Sequence, residues 1–137
     1  MITGLVVMAI VLLALALVLA LATEPGPTPT DVAVAYELAW DRFDFEAVWG
    51  MSGVELRDSR SRREFVGAKR AAYRAQAELG GLAEHVAVDE MVTDSRASKV
   101  VTRLDLRDGT SVHNELLLAR RDGRWQVVGY ALRAEPG

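Results

Sequence analysis

Apolar and polar residues follow one another along the chain in three successive rhythms. Over positions 4–22, GLVVMAIVLLALALVLALA, every residue is apolar. After a proline-rich break, apolar residues return every three to four positions. Val32, Ala35, Tyr36, Ala39, Trp40 and Phe43 form one stripe, and Phe45, Val48 and Trp49 a second. Phe65, Val66, Ala72, Tyr73, Ala77 and Leu79 form a third. Such spacing puts side chains on one face of a helix. From position 82 the period drops to two, which predicts strands over 82–93, 97–106, 110–121 and 124–133.

The punctuation agrees with these rhythms. Thr30 or Asp31 suits the N-cap of the first amphipathic helix, and Asp44 that of a short second one. Ser61-Arg62-Arg63-Glu64 reads as a capping box opening the third, which Gly80-Gly81 closes. Asp108-Gly109 and Asp122-Gly123 are hairpin signals between strands. Helices followed by a run of antiparallel strands make the expected class α+β. The expected organisation is a transmembrane helix within 1–23, a linker over 24–30 and one α+β domain over 31–134.

A helix of about 19 residues rises about 28 Å, close to the thickness of a bilayer's hydrocarbon core. The first segment is therefore expected to cross a membrane as a signal anchor through residues 4–22. The alternative is cleavage after Ala22, at the end of the small-x-small run Ala20-Leu21-Ala22, which would give a secreted form. Met1-Ile2-Thr3 carries no basic residue, and the apolar run exceeds a signal core. Both features favour the retained anchor. The first basic residue is Arg42, and Glu24, Asp31 and Glu37 come before it. A cytoplasmic N-terminus and an extracytoplasmic domain follow as the expectation. Three prolines in the seven residues from Glu24 to Thr30 make the linker stiff and extended.

Charge and composition narrow the function. The 16 basic and 19 acidic residues give a net charge of −3, no footprint for nucleic acid. With no cysteine, disulfides, thiolate metal sites and cysteine catalysis are excluded. Asn114 precedes Glu115-Leu116, so it is not a glycosylation acceptor. His85 and His113 are the only histidines, far apart in sequence, and neither has a helical ligand partner. No metal or cofactor is expected. Gly50-Met51-Ser52-Gly53-Val54 lacks the second flanking glycine of a nucleophile elbow and reads as a turn.

Trp40-Asp41-Arg42-Phe43-Asp44-Phe45-Glu46-Ala47, the helix ending Leu79-Gly80-Gly81, and above all Arg120-Arg121-Asp122-Gly123-Arg124-Trp125-Gln126-Val127-Val128-Gly129-Tyr130 resemble the nuclear transport factor 2-like superfamily, membrane-anchored bacterial type. The resemblance spans most of the chain after the linker. It implies a cone-shaped domain of three helices packed on a curved four-stranded antiparallel sheet, with a cavity between. Some members of that superfamily are isomerases, dehydratases or hydrolases. Many are binding or assembly modules.

If both hairpins have two-residue loops, Arg121 pairs with Arg124, Glu115 opposes Tyr130, His113 opposes Leu132 and Leu104, and Thr102 opposes Glu115. One face then gathers His113, Glu115, Tyr130 and Thr102 among apolar neighbours. A histidine, a desolvated carboxylate and a phenol would make an acid/base set; the alternative is cross-strand hydrogen bonding. A one-residue shift of register would scatter the group. The other face holds Val101, Leu116, Leu118, Trp125 and Val127. With an apolar centre on both faces, Leu116, Leu118, Trp125 and Val127 are expected to meet a partner or a second copy of the chain. The basic third helix (Arg57, Arg60, Arg62, Arg63, Lys69, Arg70, Arg74) faces an acidic first one either through intramolecular ion pairs or toward an anionic surface.

The expected function is therefore non-catalytic. It is that of an accessory subunit whose extracytoplasmic domain docks on a larger membrane complex, for example a respiratory or transport assembly. A small-ligand binder or isomerase/dehydratase-like enzyme using His113, Glu115 and Tyr130 is the alternative.

Overall fold

The computed structural model describes residues 2–22 and 26–133, with side chains over 3–16 and 26–133. Helix α1 runs Ile2–Ala22, and its described leucine, valine, isoleucine and methionine side chains stand 52% to 76% exposed. Among the described residues no helix is long and apolar enough to cross a membrane. The expected segment is thus a helix, but the expected span is not shown. Positions 23–25, where the cleavage alternative falls, lie outside the described residues.

Helix α2 (Pro29–Asp41) starts earlier than expected. Thr28 is its N-cap, with Pro29 at the first helical position and Asp31 completing a capping box. The helix closes on Phe43, a non-glycine residue in the left-handed region (φ 57°), while the Asp44 N–H donates to the Ala39 carbonyl at 2.8 Å. The Phe43 ring stacks on Phe45 at 5.6 Å, which offsets that conformation. Asp44 caps α3 (Phe45–Met51) through the Ala47 N–H.

Ser61 caps α4 (Arg62–Tyr73) as expected. However, α4 stops well before Gly80, and a single 3-10 turn, Ala77–Leu79, follows. The chain is pulled out of the helix by its next anchor. The Gly81 N–H donates to the Asp41 carbonyl at 2.8 Å, and the Asp41 carboxylate accepts the N–H groups of Leu82 and Ala83. Gly80 lies against Phe43 so closely that a Cβ would sit 3.0 Å from its ring. Ala77 and Leu79, expected in the core, are exposed as a result; Ala72, also expected there, is exposed within α4 itself.

Strands β1 (Ala83–Thr93), β2 (Ala97–Leu106), β3 (Ser111–Arg121) and β4 (Arg124–Leu132) form an antiparallel meander in the order β1-β2-β3-β4. The β3–β4 turn is the expected two-residue type. Asp122 and Gly123 both have positive φ, and Arg121 pairs with Arg124. The β2–β3 turn differs. Leu106 and Thr110 close it, so the loop is the three residues Arg107, Asp108 and Gly109, with Gly109 at φ 89°. Leu104 then faces Val112 rather than His113. A second slip occurs within β3–β4. A bulge at Val128 moves the pairing from Leu118↔Val127 to Leu117↔Gly129, so Tyr130 faces Leu116 and not Glu115.

The core lies between this sheet and the helices α2–α4. Val32, Ala33, Tyr36, Ala39, Phe45, Val48, Phe65 and Val66 from the helices meet Val100, Leu116, Leu118 and Val127 from the sheet.

Candidate functional site

The two slips in register decide which polar side chains meet. Asn114, Thr102 and Tyr130 share the inner face, while His113 and Glu115 point to the opposite one. Opposite the inner three stands Glu37 of α2, 1% exposed. Its position follows from helical geometry: it lies one turn after Ala33 and beside Tyr36, inside the arc that faces the sheet. The Thr102 hydroxyl donates to Glu37 Oε1 at 2.9 Å, and the Tyr130 hydroxyl donates to Oε2 at 2.7 Å. Asn114 Nδ2 donates to both carboxylate oxygens, at 3.0 and 3.2 Å, and to the Tyr130 hydroxyl at 3.1 Å.

Two forces compete at Glu37. Burial raises its pKa above the ordinary carboxylate range, because a charge is costly away from water; the donated bonds from Tyr130, Asn114 and Thr102 pull it back, and burial prevails. Burial, then the neighbouring Glu37 charge, raises the Tyr130 phenol as well. Tyr36 is raised chiefly by burial. Its ring meets Tyr130 edge-on at 5.3 Å. The Ser52 hydroxyl donates to the Val48 carbonyl at 2.7 Å, which leaves Tyr36 as the donor to Ser52 Oγ at 3.1 Å.

Above this network opens a cavity of about 210 Å³, lined by Tyr36, Trp40, Phe65 and Tyr130 with Leu56, Glu55, Asp58 and Lys69 at the rim. Asp58 pairs with Lys69 at 3.6 Å, and Arg121 pairs with Glu55. A second, open groove of about 500 Å³ runs between α3 and α4, lined by Glu46, Arg62, Arg63, Val66, Gly67 and Arg70. There Arg62 pairs with Glu46 at 3.4 Å, one of the ion pairs expected between the basic and acidic stretches.

The acid/base set expected from the sequence is not one constellation. Tyr130 borders the cavity, whereas His113 sits on the outer face with Nε2 3.0 Å from Asp89, and Glu115 pairs with Lys99 at 3.4 Å. Both register slips turn these side chains away. The residues expected to meet a partner are also placed otherwise. Leu116, Leu118 and Val127 are fully buried under the helices, and Trp125 is half-buried against the same core. The helices thus cover one face of the sheet, while Val92 and Leu117 stay exposed on the opposite one. That opposite face also carries the Arg103–Asp89 (2.8 Å), Arg103–Asp105 (3.2 Å) and Lys99–Glu115 pairs, with Val101 buried beneath them. Among the described residues no group of three or more His, Asp or Glu is placed to hold a metal ion.

The sequence pattern does not single out Glu37 or Asn114. Glu37 reads as one more acid ahead of Arg42, although its helical position inside a buried arc marks it out. Asn114, one residue from the expected Glu115, needed the true register.

No protein-family profile and no curated protein matches the chain. Solved structures do. A Campylobacter jejuni protein provisionally assigned as an NTF2-like transpeptidase aligns with TM-score 0.58 and 18% identity, over 74% of this chain and 97% of its own. An NTF-2 like protein of unknown function from Shewanella oneidensis MR-1 aligns with TM-score 0.53 and 24% identity, over 77% and 98%. A SEC-C motif containing protein from Rhodopseudomonas palustris aligns with TM-score 0.53 and 16% identity, over 78% and 80%. At these identities the likeness concerns the fold: the domain after the linker has the NTF2-like α+β architecture.

Proposed function

We propose that this chain is a membrane-tethered NTF2-like module that works by contact rather than by reaction. In this reading α1 lies in the bilayer as a single-pass anchor and the cone stands on the extracytoplasmic side. There it serves as an accessory subunit of a larger membrane complex of the respiratory or transport kind. The observation that carries the reading is the bare apolar surface of α1, whose described large side chains all stand more than half exposed. Water is a poor neighbour for such a surface, and lipid a good one. The inner sheet residues are spent in the core, so docking falls to other surfaces, of which the arginine-lined groove between α3 and α4 suits an acidic partner.

The test is fractionation followed by native electrophoresis. Membranes are separated from cytosol, solubilised in mild detergent, and the tagged chain is followed on a native gel. Retention in the membrane pellet with migration in a larger assembly is expected. Recovery of the intact chain from the aqueous fraction, or migration only as a monomer, overturns the reading.

A second reading is favoured by one observation, the aromatic cavity over the Glu37 network. Although smaller than the ~300–1,000 Å³ of drug-sized pockets, it has their usual make-up of aromatic walls with a few placed polar groups. In that reading the cone holds a small ligand. A ligand-induced rise in melting temperature that is lost in Trp40→Leu tests it. No rise with any ligand of a panel spanning cations, anions and neutral molecules removes it.

A further inference from the structure

Resting on the reading of the cone as a ligand site, we propose that its ligand is a small organic cation, an ammonium of about choline's size. The fold has already placed one ammonium there. Lys69 Nζ lies 5.3 Å from the ring centroid of Phe65 and 5.8 Å from that of Trp40, with Asp58 at 3.6 Å. Both ring distances fall inside the range in which a cation is held by an aromatic face. Tyr36 and Tyr130 supply two more rings to the same cavity.

The charges around the cavity are paired, so its rings decide the sign of the ligand. Its rim carries two carboxylates, Glu55 and Asp58, and one cation, Lys69. Arg121 holds Glu55, so Asp58 is the carboxylate a ligand would share with Lys69. Behind Tyr130 lies the carboxyl of Glu37. An anion entering here would meet Lys69, but also ring faces and Asp58, which repel it. A cation would meet both as partners. Lys69 is the obstacle: its long, partly exposed side chain lies over the ring faces and can swing into solvent. A cavity of about 210 Å³ is large enough for a trimethylammonium group and too small for a sterol or a nucleotide.

The experiment uses the full chain in maltoside micelles and isothermal titration with three probes of one shape. These are choline chloride, its neutral carbon isostere 3,3-dimethylbutan-1-ol, and the anion 3,3-dimethylbutanoate. Choline is expected to bind, the alcohol to bind at least about tenfold more weakly, and the anion not at all. Lys69→Ala is expected to tighten choline about threefold or more by removing the resident competitor, and Asp58→Asn to weaken it by a similar factor. Both substitutions lie at the cavity rim, and circular dichroism verifies that the variants are folded. If the alcohol binds as tightly as choline, or Lys69→Ala loosens choline, the cation inference falls and the ligand site stands. If none of the three probes binds the wild type or Lys69→Ala, the ligand reading falls with it.

Discussion

On the inner face of the sheet, Tyr130 and Thr102 reach Glu37 at 2.7 and 2.9 Å; on the outer face, Arg103 and His113 reach Asp89 at 2.8 and 3.0 Å. The distances are nearly the same and the surroundings are not. Glu37 is 1% exposed, whereas the side chains around Asp89 are 26% to 38% exposed. In the outer cluster a broken ion pair is replaced by water and salt, so little is lost. In the inner one nothing replaces a lost donor, and the carboxylate is left unpaired in a poor dielectric. Burial, not length, sets the worth of these bonds. The inner network therefore fixes α2 to the sheet, while the outer cluster mainly keeps the exposed face of the meander polar.

That contrast yields measurable differences. The largest is expected for Asn114→Ala, which removes the amide that bridges both Glu37 oxygens and Tyr130. A loss of about 3 kcal/mol, or more than about 10 °C in Tm, should appear in thermal unfolding of the full chain. A loss below about 1 kcal/mol would mean that water reaches Glu37. Next comes Tyr130→Phe, which deletes one donor and keeps the ring against Tyr36. About 1 to 2 kcal/mol is expected in the same assay.

The pH dependence follows from the raised pKa of Glu37. As pH rises past the ordinary glutamate value of 4.5, the unfolded chain releases this proton before the folded one does. Glu37 therefore costs the fold nothing at lower pH. Its contribution turns destabilising between the unfolded pKa and the higher folded one, then levels off. Denaturant titrations across that window should show wild type losing stability relative to Glu37→Gln as pH increases. A difference that grows in the opposite direction would place the folded pKa below the unfolded value.

Much of the fold can be read in the sequence because the signals are local. Asp44 and Ser61 cap the helices they announce, Asp122-Gly123 makes the two-residue turn, and the strand bounds lie within one residue of the alternation. The site is less legible because it depends on register. Asp-Gly serves a two-residue and a three-residue hairpin equally well, and the dipeptide at Asp108-Gly109 takes the longer form. Nothing in the alternation around Val128 announces a bulge. Each slip is a single residue, and each exchanges the faces of the side chains beyond it. Thr102 and Tyr130 still meet a polar neighbour on one face, but it is Asn114 in place of Glu115. The remaining member, Glu37, was hidden by its charge. Its neighbours Ala33 and Tyr36 carry the helical address of a buried position, yet an acid there reads as solvated until its donors are known. The partner surface expected from Leu116, Leu118, Trp125 and Val127 is absent for a related reason: the face that holds them is the one the helices cover.

The smallest effect should come from the outer face, and it sharpens the contrast most. Asp89 bonds both Arg103 and His113, and it sits at the bulge where β1 shifts register between Val88 and Glu90. Were bond count alone decisive, Asp89→Ala would rival Asn114→Ala. Solvent screening argues otherwise: exposed pairs of this kind are worth about 0.2 to 1 kcal/mol, and salt weakens them further. Asp89→Ala should therefore cost less than about 1 kcal/mol in urea unfolding at low ionic strength, shrinking toward zero in about 1 M sodium chloride. Asn114→Ala should be insensitive to the same salt, because ions do not enter the space between α2 and the sheet. A salt-independent cost at Asp89 matching that at Asn114 would show that the bulge, rather than the ion pairs, is what Asp89 holds in place.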